Sequence, residues 1–315
     1  MNKLKELLFF NSIKGIGKTA IYRRYFDDLQ KAEGIEFIKE AVKQKDKHIS
    51  EEEMDLAERK AEELYSSIAS DQSIKAVTVF DELYPKKLEV MGMKKPLVLY
   101  IKGDAKILSE QNVAIIGTRK PTEWAEKVER RLVKKIIEIS DRVVVSGLAL
   151  GCDKIAHEVV VEEKKKTIAV LPSGVNVITP ASHKKLAEMI LETGGCIVSE
   201  YLPDAIAFKT SYIERDSIVA ALSDIVIAVE CEEKSGTMHT VKAAKEYKTV
   251  LGCYYNEKMG KSYSGNLYMV EVLGAEKIMD TEDLERIFTQ TPPTANNDEN
   301  HQVTIDEFLN PPQKN

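Results

Sequence analysis

The chain has 315 residues, 43% hydrophobic and 30% charged, which suits a globular protein with one large domain and room for a small one. No stretch approaches the roughly 20 apolar residues of a membrane helix, and the start, Met1-Asn2-Lys3-Leu4-Lys5, leads to no small-residue cleavage site, so neither a membrane span nor a signal peptide is expected. A formal net charge of −6 excludes a protein-wide electrostatic grip on nucleic acid, so any polyanion must be met by a local basic patch.

Residues 1–70 carry helical periodicity and no convincing strand, and are expected to form a small helical domain. Within it, Ile13-Lys14-Gly15-Ile16-Gly17-Lys18-Thr19-Ala20 admits several readings. Gly17-Lys18-Thr19 ends like a phosphate-binding P-loop, but the full pattern needs a glycine where Ser12 stands, and no buried strand precedes it. A helix-hairpin-helix-like Gly-Ile-Gly turn fits better. Its backbone N–H groups can meet DNA phosphate without reading sequence; a turn used only for packing is the alternative.

Residues 71–290 alternate apolar runs with amphipathic ones. Val113-Ala114-Ile115-Ile116-Gly117 is followed by helical spacing through Val128, Leu132, Ile136 and Ile139. Further runs lie at residues 142–147, 166–171, 195–200, 224–230 and 248–253, with helices expected at about 153–163 and 183–192. Continuous β-branched runs separated by helices are the pattern of a parallel sheet buried on both faces. The expected fold is therefore α/β, a Rossmann-like, doubly wound, mostly parallel sheet, whose ligands bind beyond the carboxyl ends of the strands.

Residues 291–315 are polar and rich in proline and asparagine, as a flexible tail would be. Inside them, Gln302, Ile305, Phe308 and Leu309 stand at the spacing of a sliding-clamp-binding peptide, since one helical turn would align the three apolar residues. Cys152, Cys196, Cys231 and Cys253 form no Cys-x-x-Cys pair, which points to reduced thiols in a cytoplasmic protein and to no metal site.

The strand ends carry the candidate chemistry. They read Gly117-Thr118-Arg119, Ser146-Gly147-Leu148-Ala149-Leu150-Gly151-Cys152-Asp153, Pro172-Ser173-Gly174 and Ser235-Gly236-Thr237. Glycine admits a ligand close to the backbone, free N–H groups at a helix start attract phosphate, and Arg119 offers a charged fork to its oxygens. One such loop is an ordinary turn; several around one sheet point to an anion-binding rim. No Gly-x-Gly-x-x-Gly follows a strand, so no dinucleotide and no other cofactor is expected. Asp153 is expected to cap the helix after the second strand, and His157 to be packed and hydrogen-bonded.

Five of these strings, in order, resemble the DNA-processing protein A (DprA/Smf) family: Ala114-Ile115-Ile116-Gly117-Thr118-Arg119; Val145-Ser146-Gly147-Leu148-Ala149-Leu150-Gly151-Cys152-Asp153 with Ala156-His157; Thr167-Ile168-Ala169-Val170-Leu171 with Gly174; Ile197-Val198-Ser199-Glu200-Tyr201; and Ser235-Gly236-Thr237-Met238-His239-Thr240. Tyr84-Pro85 and Leu97-Val98-Leu99-Tyr100 with Gly103 extend the likeness to residues 74–255. The resemblance implies a non-enzymatic protein that binds single-stranded DNA, assists loading of a RecA-type recombinase in transformation or recombination, and forms a homodimer.

It also implies that Arg119 holds phosphate, with Gly117, Thr118, Ser146, Gly147, Lys209, Arg215, Ser235, Gly236 and Thr237 around it. The family's Arg-Asn-Arg motif reads Arg215-Asp216-Ser217 here, which removes one cation and adds an anion; Lys209, Lys184 and Lys185 are the candidates to compensate. Tyr212 is a candidate stacking surface for bases. The rival expectation is a nucleotide-binding sensor or nucleotide hydrolase with Glu230 as acid or base, although the hydrolase motif Pro-Gly-Gly-x-Gly-Thr-x-x-Glu is missing.

Overall fold

The computed structural model describes residues 3–290; the expected clamp-binding peptide, with Gln302, Ile305, Phe308 and Leu309, lies outside them. The helical start comprises α1 (Leu4–Ser12), α2 (Lys18–Ala20), α3 (Phe26–Lys31), α4 (Ile35–Lys45) and α5 (Glu51–Ser70), with a π-helical turn at Ile21–Tyr25 joining α2 to α3. α1 buries Leu4, Leu7, Leu8, Phe9 and Phe10. α5 begins in a capping box: the Ser50 hydroxyl accepts the Glu53 N–H at 3.2 Å and the Glu53 carboxylate accepts the Ser50 N–H at 2.9 Å.

The strands are β1 (Ile74–Thr78), β2 (Val98–Gly103), β3 (Asn112–Ile116), β4 (Val143–Ser146), β5 (Thr167–Val170), β6 (Cys196–Ser199), β7 (Ile225–Ala228), β8 (Val250–Tyr254) and β9 (Glu276–Ile278). The helices between and after them are α6 (Glu123–Ile139), α7 (Cys152–Glu162), α8 (Lys184–Glu192), α9 (Lys209–Leu222), α10 (Thr237–Glu246), α11 (Ser264–Glu271) and α12 (Thr281–Thr289). All the strands join one sheet in the order β1-β2-β6-β5-β4-β3-β7-β8-β9. From β6 across to β9 every pairing is parallel, while β2 adds antiparallel to β6, and β1 to β2. The doubly wound, mostly parallel α/β sheet expected from the apolar runs is therefore present.

Alternation along the strands divides the core between the two faces. Ala114, Ile116, Val145, Ile168, Val170, Val226 and Ala228 face α9, α10 and the short 3-10 segments Lys86–Lys94 and Ala105–Ser109. On the other face Val113, Ile115, Val144, Ile225 and Ile227 pack on α6, α7 and α12. Further along that second face, Val98, Tyr100, Ala169, Leu171 and Ile197 pack with the N-terminal helices and α8. Each fully buried Val, Leu or Ile contributes about 1.5–3 kcal/mol of transfer free energy, so both faces need their helical cover. No helix among the described residues is long and apolar enough to cross a membrane.

Candidate nucleic-acid interface

The chain runs from β3 through β4 and β5 to β6 in one direction across the sheet, and from β7 to β8 and β9 in the other. The loops leaving β3 and β7 therefore part at their carboxyl ends, the place where open α/β sheets hold ligands.

The loop after β3 is fixed by backbone contacts. Thr118 N donates to Glu230 O at 2.7 Å, and Cys152 N donates to Thr118 O at 3.1 Å. The Thr237 hydroxyl donates to Gly117 O at 2.9 Å. A Cβ at Gly117 would overlap the Cys152 thiol, and one at Gly151, whose φ is +77°, would overlap the backbone of Thr118 and Arg119. Glycine at both places lets the start of α7 seat directly against this loop.

The side chains of Arg119 and Lys120 are left outside, both exposed. Among the described residues no carboxylate pairs with Arg119; its guanidinium carbon lies 5.5 Å from the centre of the Tyr212 ring, a cation–π contact. Lys209, Tyr212 and Asp216 recur at three- and four-residue spacing along α9 and so share one side of it. Lys209 is exposed and Tyr212 half-buried, so the expected cation and stacking ring do lie together at the rim.

Two residues of the expected phosphate set are placed differently. Arg215 is 5% exposed, its Nη1 donates to Val170 O at 3.3 Å, and it pairs with Asp216 at 3.0 Å and Asp153 at 3.6 Å. A Cβ at Gly147 would overlap that guanidinium, so Gly147 is the opening through which Arg215 reaches under the β4 end. Ser146 is fully buried and its hydroxyl donates to Ile115 O at 2.7 Å, tying β4 to β3. Both side chains are held by the protein because the motif's polar atoms find backbone partners inside the sheet.

Asp153 is a second correction. The residue before α7 is Gly151, with no side-chain cap. Asp153 lies one position inside the helix, and its carboxylate accepts the N–H groups of Gly147 at 3.2 Å and Ala149 at 3.3 Å. It braces the β4 loop rather than capping the helix. His157 is packed as expected: fully buried, with Nδ1 2.8 Å from the Thr167 hydroxyl. Burial holds its pKa down near 3, so it stays neutral at physiological pH.

On the β7 side, Glu230 is fully enclosed and its Oε2 accepts Thr122 N at 2.7 Å. The acid or base of the rival expectation is thus shut off from solvent. Ser235 is half-buried with its hydroxyl lacking a protein partner, and Gly236 is exposed with nothing within 4 Å of where a Cβ would stand. Lys184 and Lys185 are exposed at the start of α8.

Asp216, 17% exposed, has its pKa raised to about 6 by burial. Arg215, His239 and Arg119 oppose the shift and Asp153 reinforces it. His239, not singled out in the sequence, belongs to the same electrostatic neighbourhood. It comes from α10, across the crevice, and only folding brings it near; Lys120 is simply the exposed residue next to Arg119.

The N-terminal turn also reaches this end of the sheet. Lys18 pairs with Glu200, just after β6, at 2.6 Å. Ile13 and Ile16 are buried, whereas a Cβ at Gly15 or Gly17 would meet nothing within 4 Å. Those two glycines are therefore not there to relieve crowding.

Fold and rim together define a doubly wound α/β protein with exposed Arg119, Lys120 and Lys209 at the switch in strand order. The chain belongs to the DNA recombination-mediator protein A family, whose family model matches residues 75–289. It is 31% identical over 219 residues to the DNA processing protein DprA of Bacillus subtilis, covering 68% of this chain and 71% of that one. It is 32% identical over 165 residues to protein Smf of Escherichia coli, covering 52% of this chain but 44% of that one.

Among solved structures, DprA of Streptococcus pneumoniae superposes with a TM-score of 0.66 at 23% identity over 90% of this chain and 93% of that one, a likeness of fold. DNA processing protein A of Helicobacter pylori, described for its single-stranded DNA binding mode, superposes with a TM-score of 0.62 at 30% identity over 70% of this chain and 98% of that one.

Proposed function

We propose that this chain binds single-stranded DNA along the strand-end rim, with phosphate on Arg119, Lys120 and the backbone of the β3 loop. The observation that carries this is Arg119: an exposed guanidinium without a carboxylate partner among the described residues, laid over Tyr212 at the switch in strand order. Lys209 and the open Ser235-Gly236-Thr237 turn extend the track to either side. Tyr212 supplies a face for a base, and the local patch offsets the repulsion of a chain with net charge −6. Arg215, Ser146 and Gly147 support the rim from beneath. The H. pylori relative's single-stranded DNA binding supports the choice of ligand. Assistance to a recombinase, which the family's description as a recombination mediator supports, and pairing of two protomers are part of the same proposal.

The test is fluorescence anisotropy with labelled single-stranded and duplex oligonucleotides over a salt series, for wild type and Arg119→Ala. The proposal expects single strands to be preferred, with affinity falling as salt rises because phosphate contacts release counterions. A folded sample that binds neither strand at low salt overturns it.

A further inference from the structure

Beyond Arg119, the same loop leads to a recess that the phosphate track does not use. It encloses about 250 Å³ and is lined by Trp124, Tyr254, Asn256, Lys258, Met259 and Tyr263. Trp124 is the second residue of α6, and its position is fixed by the helix start, where the Thr122 hydroxyl accepts Ala125 N at 3.1 Å. Trp124 is 55% exposed, and its Nε1 donates to the Tyr254 hydroxyl at 3.2 Å. Tyr254 ends β8, and its ring lies 6.0 Å from that of Tyr263 at an interplanar angle of 57°. Large aromatics gather here with the indole's one polar atom already partnered, and about half of Trp124 is left bare. That is the composition of a stacking platform.

We infer that this recess takes one nucleobase of the bound single strand, stacked against Trp124; the inference rests on the DNA reading above. Continuity with the phosphate rim argues for this occupant. Trp124 follows Arg119 by five residues, at most about 18 Å of extended chain. Trp124 therefore stands within reach of the nucleotides next to a phosphate held on Arg119 and Lys120. Lys258, exposed at its edge, adds a cation for the same strand. Asn256 has both ends of its amide engaged, Nδ2 with the Tyr254 hydroxyl at 3.4 Å and Oδ1 with Lys258 N at 2.8 Å. The recess thus offers mainly ring faces, with the Tyr263 hydroxyl, which has no hydrogen-bond partner among the described residues, as its one buried polar group left over.

Trp124 is the single tryptophan of the chain, so its emission reports on the recess alone. The experiment titrates the full chain with a thymidine oligonucleotide and with an abasic oligonucleotide of equal length. Anisotropy of the labelled strand records binding, and tryptophan emission records stacking. Both strands should bind, only the thymidine strand should quench emission, and it should bind at least about ten-fold more tightly, the order of one base–aromatic stack. Trp124→Ala should reduce that advantage by the worth of one stack, leaving the part that Tyr212 supplies, whereas Arg119→Ala should weaken both strands.

Equal emission with the two strands, or an advantage that Trp124→Ala leaves undiminished, overturns the inference and leaves DNA binding standing. Quenching by thymidine monophosphate without quenching by the oligonucleotide also overturns it, in favour of a small-nucleotide site. Failure of both strands to bind overturns the DNA reading and this inference together.

Discussion

Arg119 and Arg215 stand at the same end of one sheet and come from neighbouring motifs, yet the fold treats them oppositely. Arg215 is 5% exposed, threaded past Gly147 and held by two carboxylates and a backbone carbonyl. Arg119 is exposed, laid over the face of Tyr212, on a loop whose backbone is fixed at both ends. The β4–β5 half of the crevice is thus a closed support built from buried ion pairs, and the β3–β7 half is an open rim. Charged residues of one motif set can serve rigidity on one side and ligand on the other, because a buried guanidinium neutralised by carboxylates is out of a phosphate's reach.

The largest test of this contrast is Arg215→Ala. It strands Asp153 and Asp216 without their cation, so stability should fall by about 3–5 kcal/mol, read from the urea midpoint. An unchanged midpoint would mean that the support side is not a support. Gly147→Ala should cost about 1–3 kcal/mol by overpacking the same guanidinium, while Gly236→Ala, in open space on the rim, should stay within about 0.5 kcal/mol. Comparable losses from the two glycine changes would erase the distinction.

Arg119→Ala should leave the urea midpoint in place and weaken single-stranded DNA binding roughly ten-fold, with a salt slope smaller by about one. A loss of stability with no loss of affinity would assign Arg119 to the support. The smallest effect is expected at Asp216, which faces Arg215, Asp153, His239 and Arg119. Its carboxyl, raised to about 6, is mostly protonated below that pH and an anion above it. Affinity for DNA should therefore fall a few-fold as pH rises through about 6, since an added negative charge beside Arg119 repels phosphate. Asp216→Asn should flatten that fall and tighten binding at neutral pH. Because His239 remains in the variant, any dependence that survives is not from Asp216.

Much of the fold was legible in the order of residues. Runs such as Val113-Ala114-Ile115-Ile116 and Val143-Val144-Val145 leave no solvent face, so they had to be central parallel strands, and their Gly-rich exits had to be tight strand-to-helix loops. β1 and β2 were less so. β2 lies antiparallel beside β6, with β1 outside it, through pairings such as Tyr100 with Ser199, about a hundred residues apart, which no local period encodes.

The same divide runs through the site. Sequence by itself determined the sheet, the strand-end loops and the glycines those loops require, because these follow from local burial periodicity and backbone geometry. Only the tertiary structure decided that Arg215 and Ser146 turn inward while Arg119 stays out, that Asp153 braces a loop instead of capping a helix, and that Trp124 of α6 meets Tyr254 of β8. Each of these depends on which buried partner lies within hydrogen-bond reach, and that is set by how distant segments pack.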